Sequence, residues 1–366
     1  MSAMNAFVIG KDQLKGLLNE VKELGYNVVA PVLEDGVLRL CSVNSGDQLA
    51  TNVVTIQSPG KYATKESELM FSFTHGPDSP KRFLYPPLRK TWKMEKDGGH
   101  FELKEAACGG DKIALFGIKP CDLASIEVLD RTLLRGKYAD PQYTSIRTNA
   151  ALIVANCIEP SGTCFCASMG TGPRAKAGFD LALTELPGGF LVELGTELGE
   201  QMIAHLQKRA AKPEDQKDAD RLTEAARSKM GRELDTNNLR DRLYAHLESP
   251  EFKEIAERCL GCANCTNVCP TCFCTMVQDI PSLDGRTSER QVTWDSCFTY
   301  QFAQVAGGHF RPELWARYRQ WMNHKFAYWL DQFDTFGCIG CGRCITWCPV
   351  GIDVTESVKD VQEVKQ

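Results

Sequence analysis

Apolar positions near the start of the chain follow two different periods. Leu14, Leu17, Leu18, Val21 and Leu24 recur at helical spacing, and Gly25 follows as a stop signal. Segments 27–31 and 37–43 instead flank Asp35-Gly36, which predicts a hairpin. Further on, a short apolar run at 112–117 leads into a turn carrying Pro120 and Cys121. Asp122 is then placed to cap a helix in which Leu123, Ile126, Leu129 and Leu133 repeat. A second apolar run, 150–155, ends at Asn156-Cys157. Strand, helix and strand predict a βαβ unit. Cys121 and Cys157 then lie just beyond the C-terminal ends of strands, where open α/β sheets bind their ligands.

The pattern changes after residue 196. Segment 197–248 is charged and helical in period, with a solvated EDQKDADR stretch. Residues 313–334 are helix-compatible and rich in aromatic rings: Trp315, Tyr318, Trp321, Phe326 and Trp329. Core packing is the simpler reading of these rings, and an aromatic stepping-stone for electrons is the sharper one. The expected architecture is α+β and multidomain. It comprises an N-terminal α/β domain (1–196), a charged helical connector (197–250) and a mainly α-helical ferredoxin-type two-cluster domain (251–366).

Composition narrows the chemistry. The chain has 366 residues, a formal net charge of −5 and 17 cysteines. The acidic balance offers no broad basic surface for nucleic acid. So long a chain needs no disulfide staples, and an odd cysteine count fits poorly with complete pairing. The start, MSAMNAFVIGKDQLKG, shows no basic n-region, and no run approaches the ~18 apolar residues of a membrane span. The expectation is a chain without a membrane span, in the cytoplasm, whose cysteines serve metal or redox chemistry.

Two segments repeat C-x2-C-x2-C-x3-C-P. One carries Cys259, Cys262, Cys265 and Cys269, the other Cys338, Cys341, Cys344 and Cys348. This is the bacterial ferredoxin run: three thiolates on a tight loop reach three corners of one iron cube, and the fourth serves the other cluster. Small residues such as Gly261, Gly340 and Gly342 let the backbone wrap closely. The expected ligand sets are Cys259, Cys262, Cys265 and Cys348 for one [4Fe–4S] cluster, and Cys338, Cys341, Cys344 and Cys269 for the second. Structural zinc is the competing reading, but it draws on separated cysteine or histidine pairs rather than three thiols in one loop.

A third group is less regular. Segment 157–166 supplies Cys157, Cys164 and Cys166, and Cys121 joins them in the βαβ reading, giving the four thiolates of a further [4Fe–4S] cluster. The alternative is cysteine packed as a small hydrophobe. MGTGPRAKAG (169–178) lacks the context of a phosphate loop and is read as continuing the wrap around Cys164 and Cys166. Cys272, Cys274 and Cys297 remain without a fourth partner; His309 is a candidate, though a structural role is simpler for it. Cys41 and Cys108 have no companions. There is no dinucleotide fingerprint, Walker loop, H-E-x-x-H or nucleophile elbow. Clusters without a substrate site suggest an electron relay.

Several segments together (82–87, 116–130, 156–173, 269–274, 294–298, 306–311, 317–325 and 338–353) resemble the iron–sulfur β subunit of cytoplasmic nickel–iron hydrogenases, or sulfhydrogenases. A component of anaerobic sulfite reductase is related to that family. The resemblance implies a non-catalytic electron-transfer subunit. It would bridge a flavin subunit handling NAD(P)H and the nickel–iron small and large subunits. The alternative it leaves open is the same role in a sulfite or sulfur reductase. It also matches Cys121, Cys157, Cys164 and Cys166 to the family's N-terminal cysteines, and the eight ferredoxin cysteines to its two clusters.

Overall fold

The computed structural model describes residues 6–106 and 109–362, so Cys108 lies outside the described residues. Eight strands form the main sheet in the order Lys208–Ala210, Ala6–Ile9, Gly189–Leu194, Leu181–Leu186, Ala150–Ala155, Ile113–Ile118, Asn27–Glu34 and Val37–Ser42. The four strands from Leu181–Leu186 to Asn27–Glu34 run parallel, and the outer pairings are antiparallel. Parallel strands are covered on both faces, which explains their unbroken apolar runs. Ala114, Phe116 and Ile153 face helix Gln13–Glu23 through Leu14, Leu17 and Val21. Leu115, Leu152 and Val154 face helix Pro120–Leu133 through Ile126, Leu129 and Leu133. At the hairpin, Asp35 and Gly36 both take positive φ (50° and 76°), as a two-residue turn between twisted strands requires.

The helix after Ile118 starts at Pro120, with Lys119 as its cap residue. Asp122 is therefore not the cap but lies in the first turn, accepting the Lys119 backbone N–H at 3.3 Å. Its other oxygen is left free for a distant partner.

Segment 197–250 is built into both halves rather than standing apart as a connector. Strand Lys208–Ala210 extends the main sheet beside Ala6–Ile9. Helix Pro213–Ser228 buries Ala219 against Leu186 and Leu191. Leu239 and Leu243 instead join Phe252, Ile255, Tyr318, Trp321 and Val358 in the C-terminal core. A second sheet also crosses the expected boundaries, pairing Thr275–Pro281, Thr287–Trp294, Leu88–Asp97 and His100–Glu105 in that order. The C-terminal region thus holds a β-hairpin as well as helices. The aromatic segment is helical, as Leu314–Asn323 and Trp329–Phe333 joined by a π-turn at His324–Tyr328. Tyr318, Trp321, Phe326 and Trp329 are buried in it.

Candidate metal centres

The two ferredoxin-type loops have one backbone design. Gly261 and Gly340 take φ of 63° and 68°, and each donates its N–H to the thiol two residues earlier, Cys259 or Cys338, at 3.4 Å. Ala263 and Gly342 are again left-handed (63° and 76°), and a single helical turn starts after each. That sequence of turns aims successive thiols at one side of the loop. The Cys348 thiol accepts an N–H from Ile352 at 3.3 Å.

Cys259, Cys262, Cys265 and Cys348 line one apolar cavity with Phe298, Tyr318, Trp321 and Val354. Cys338, Cys341, Cys344 and Cys269 are electrostatic neighbours in a second set. Cys344 also lines the first cavity and lies near Cys265, so it joins the two sets.

The N-terminal thiols come together too. Cys121 and Cys157 follow the adjacent parallel strands Ile113–Ile118 and Ala150–Ala155, and both are buried. Cys166 lies near Cys121, Cys157 and Cys164. Segment 169–178 closes over them: the Pro173 carbonyl accepts the Cys157 N–H at 2.9 Å, and a Cβ on Gly172 would stand 2.8 Å from the Cys166 thiol.

This block is seated on the second ferredoxin loop. The Phe165 N–H bonds the Gly340 carbonyl at 2.9 Å, and Thr163 and Thr346 hydroxyls meet at 2.8 Å. Gly340 and Gly342 are consequently small for a second reason beyond wrapping a cluster. Cβ atoms there would come within 2.6 Å of the Phe165 backbone and 2.2 Å of the Thr163 carbonyl oxygen. Cys341 is an electrostatic neighbour of Cys121, Cys164 and Cys166.

Sequence reasoning missed the buried cations around these thiols. The Arg343 guanidinium, 1 % exposed, pairs with Asp122 at 2.7 Å, filling the vacancy on that carboxylate. Lys119 donates to the Phe71 carbonyl at 2.9 Å and lies near Cys157 and Cys121. The Lys325 ammonium stands 3.1 Å from the Cys269 thiol, and Lys81 is buried close by. His75 places Nε2 3.4 Å from the Cys121 thiol; burial, then the charges of Arg343 and Lys119, hold its pKa well below the usual histidine value. No local pattern announces such residues, because each is recognised only by what folds over it.

Cys272 and Cys274 lie beside Lys325 and Lys81, with Cys297 next to Cys274 and Cys265. His309 does not complete this set. Its Nε2 bonds the Tyr300 carbonyl and its Nδ1 accepts the Arg311 N–H, so both ring nitrogens are used locally. Cys41 lies apart on strand Val37–Ser42, bonded to Glu34.

Burial pushes the Cys164, Cys297 and Cys338 thiols up to about 12, and Cys121, Cys166, Cys265 and Cys344 well above the ordinary range. Cys269 moves the other way: the hydrogen bond with Cys272, followed by the nearby Lys325 and Lys81 charges, favours its thiolate. Buried thiols of this kind ionise when a metal takes the proton's place.

These sets fit iron–sulfur ligation. Each offers four thiols, backbone N–H groups aimed at sulfur, and apolar or cationic surroundings. Among the described residues, no three His, Cys, Asp or Glu side chains converge tightly enough to hold a single metal ion. A lone zinc would draw its sulfurs to about 2.3 Å from one point, whereas a cube spreads them over its corners.

Comparison with known proteins decides the family. Residues 258–352 match the 4Fe-4S dicluster domain family. Over 354 residues, 95% of each chain, the sequence is 34% identical to sulfhydrogenase 2 subunit beta of Pyrococcus furiosus. The chain belongs to the sulfhydrogenase β-subunit family. It is an iron–sulfur electron-transfer subunit of an oxidoreductase, with a dicluster domain for two [4Fe–4S] clusters. The dicluster match takes in all eight ferredoxin cysteines together with Cys272, Cys274 and Cys297, and stops short of the N-terminal block. No solved structure matches this β subunit. No helix among its described residues is long and apolar enough to cross a membrane.

Proposed function

We propose that this β subunit relays electrons, in the cytoplasm, between a flavin subunit handling NAD(P)H and the nickel–iron small and large subunits of a multi-subunit hydrogenase. Cys259, Cys262, Cys265 and Cys348 would hold one [4Fe–4S] cluster and Cys338, Cys341, Cys344 and Cys269 the second. Cys121, Cys157, Cys164 and Cys166 would hold a third. When bound, each cluster accepts and releases one electron. The observation that carries this reading is the succession of thiol sets. Cys341 packs in one buried cluster with Cys121 and Cys166, and Cys344 lines the same cavity as Cys265 of the outermost set.

The protein's own groups set the conditions along that line. Ile339 and Ile345, 2 % and 0 % exposed, exclude water from the middle set. Arg343, Lys119 and Lys325 offset the negative charge of thiolate ligation and favour the reduced state. Cys262 is exposed, which brings the first set to the surface, where a partner subunit can approach. The name of the P. furiosus relative supports a hydrogenase over a sulfite reductase as the terminal enzyme.

Two variants test this. Cys341→Ala in the assembled complex should abolish electron flow between NAD(P)H and hydrogen while each partner still reacts with artificial dyes; undiminished coupling overturns the relay. Cys157→Ala should lower iron and acid-labile sulfide by about four each per chain. An unchanged count removes the third cluster.

A further inference from the structure

Two buried lysines of this subunit, Lys81 and Lys325, are 2 % and 5 % exposed and form no salt bridge with an Asp or Glu among the described residues. Lys81 donates to the Cys272 carbonyl at 2.9 Å and lies 3.9 Å from the centre of the Trp294 ring. The Lys325 ammonium lies 3.1 Å from the Cys269 thiol and 3.4 Å from the Cys272 thiol. Burying an ammonium is costly unless negative charge compensates it. Lys325 reaches Cys272 as well as Cys269, and the side chains of opposite charge type beside Lys81 include the thiols Cys272 and Cys274, so a thiolate site here would compensate both.

The local fold supplies it. Cys272-Phe273-Cys274 is not helical and leads straight into strand Thr275–Pro281. Phe273 packs edge-on against Trp329, with ring centres 5.9 Å apart, while the flanking Cys272 and Cys274 thiols both lie near Lys325. Cys297 arrives just past strand Thr287–Trp294, and its N–H bonds the Cys274 thiol. The Asp295 N–H bonds the Cys274 carbonyl at 2.9 Å and fixes the crossing.

The same device occurs at the N-terminal set. There Cys164-Phe165-Cys166 buries its phenylalanine completely, a third thiol (Cys157) follows a strand end, and two buried cations, Lys119 and Arg343, stand beside the sulfurs. We propose that Cys272, Cys274 and Cys297 hold a further iron–sulfur cluster through three thiolates, with Lys81 and Lys325 as its counter-charges and a small exogenous ligand at the remaining iron. The proposal rests on the iron–sulfur reading of the subunit.

The test is an iron and acid-labile sulfide count on the full-length chain, purified without oxygen, beside a Cys272→Ser/Cys297→Ser double variant. Electron paramagnetic resonance of the reduced samples accompanies it. The wild type should hold about sixteen iron atoms, and the variant about four fewer with the other cluster signals retained. Equal iron in both chains, or zinc in place of the lost iron, overturns the proposal. If the double variant fails to fold, the Cys274→Ser single variant decides by the same loss of about four iron atoms. A wild-type chain with no iron overturns the relay reading as well, whereas iron that is present but unmoved by the substitutions overturns this site alone.

Discussion

The two ferredoxin-type loops share their cysteine spacing, their left-handed turns and their N–H···S bonds, yet they live in different surroundings. In the first, Leu260 is 65 % exposed; its counterpart in the second, Ile339, is 2 % exposed. Asn264 in the first loop reaches only to the Trp347 carbonyl, across to its twin. Arg343 at the matching position crosses into the α/β half and pairs with Asp122. Ala263 takes a left-handed φ with a side chain in place, whereas Gly342, at nearly the same φ, leaves no room for one. One local geometry therefore serves two situations: an outward-facing end of the thiol line and an internal junction.

The largest break in this comparison should come from charge. Arg343→Met leaves Asp122 buried without its cation and should cost about 3–5 kcal/mol. Asn264→Ala at the twin position removes a single hydrogen bond and should cost about 1 kcal/mol. Anaerobic chemical denaturation of the cluster-loaded chain measures both, and equal losses would mean the loops are not differently embedded.

Apolar burial comes next. Ile339→Ser should cost about 2–4 kcal/mol, because it empties and polarises a closed site. Leu260→Ser should change the same midpoint by no more than about 0.5 kcal/mol.

The smallest pair tests the backbone alone. Gly342→Ala forces a Cβ against the Thr163 carbonyl and should destabilise by about 2–3 kcal/mol, with the N-terminal block displaced. Ala263→Gly relaxes a left-handed alanine and should stabilise by about 0.5–1 kcal/mol. A Gly342→Ala loss no larger than the gain from Ala263→Gly would show that docking places no demand on the second loop.

How much of this was legible depends on distance along the chain. Helix Gln13–Glu23, the hairpin at Asp35-Gly36 and the aromatic helix from Leu314 are local patterns, and their apolar periods mark them. Strand Thr287–Trp294 was not visible as a sheet member, because TSERQVTW carries little apolar alternation. It pairs with Thr275–Pro281 in a local hairpin and is continued into a sheet by Leu88–Asp97, about two hundred residues away. The same distance hid the Arg343–Asp122 pair, 221 positions apart. Asp122 has the local pattern of a helix cap, because Pro120 and the apolar repeat from Leu123 are what lie beside it in the chain.

By itself, then, the sequence determined the loop geometry of the eight ferredoxin cysteines, since positive-φ residues and thiols two and three positions apart are governed by adjacent peptide units. It also placed Cys121 and Cys157 at strand ends. Only the tertiary structure decided which loop is buried, which cations stand beside which thiols, and that His309 is spent on its own hairpin while Lys325 is not. Those outcomes depend on desolvation and on partners drawn from remote segments, and neither can be read from the residues on either side.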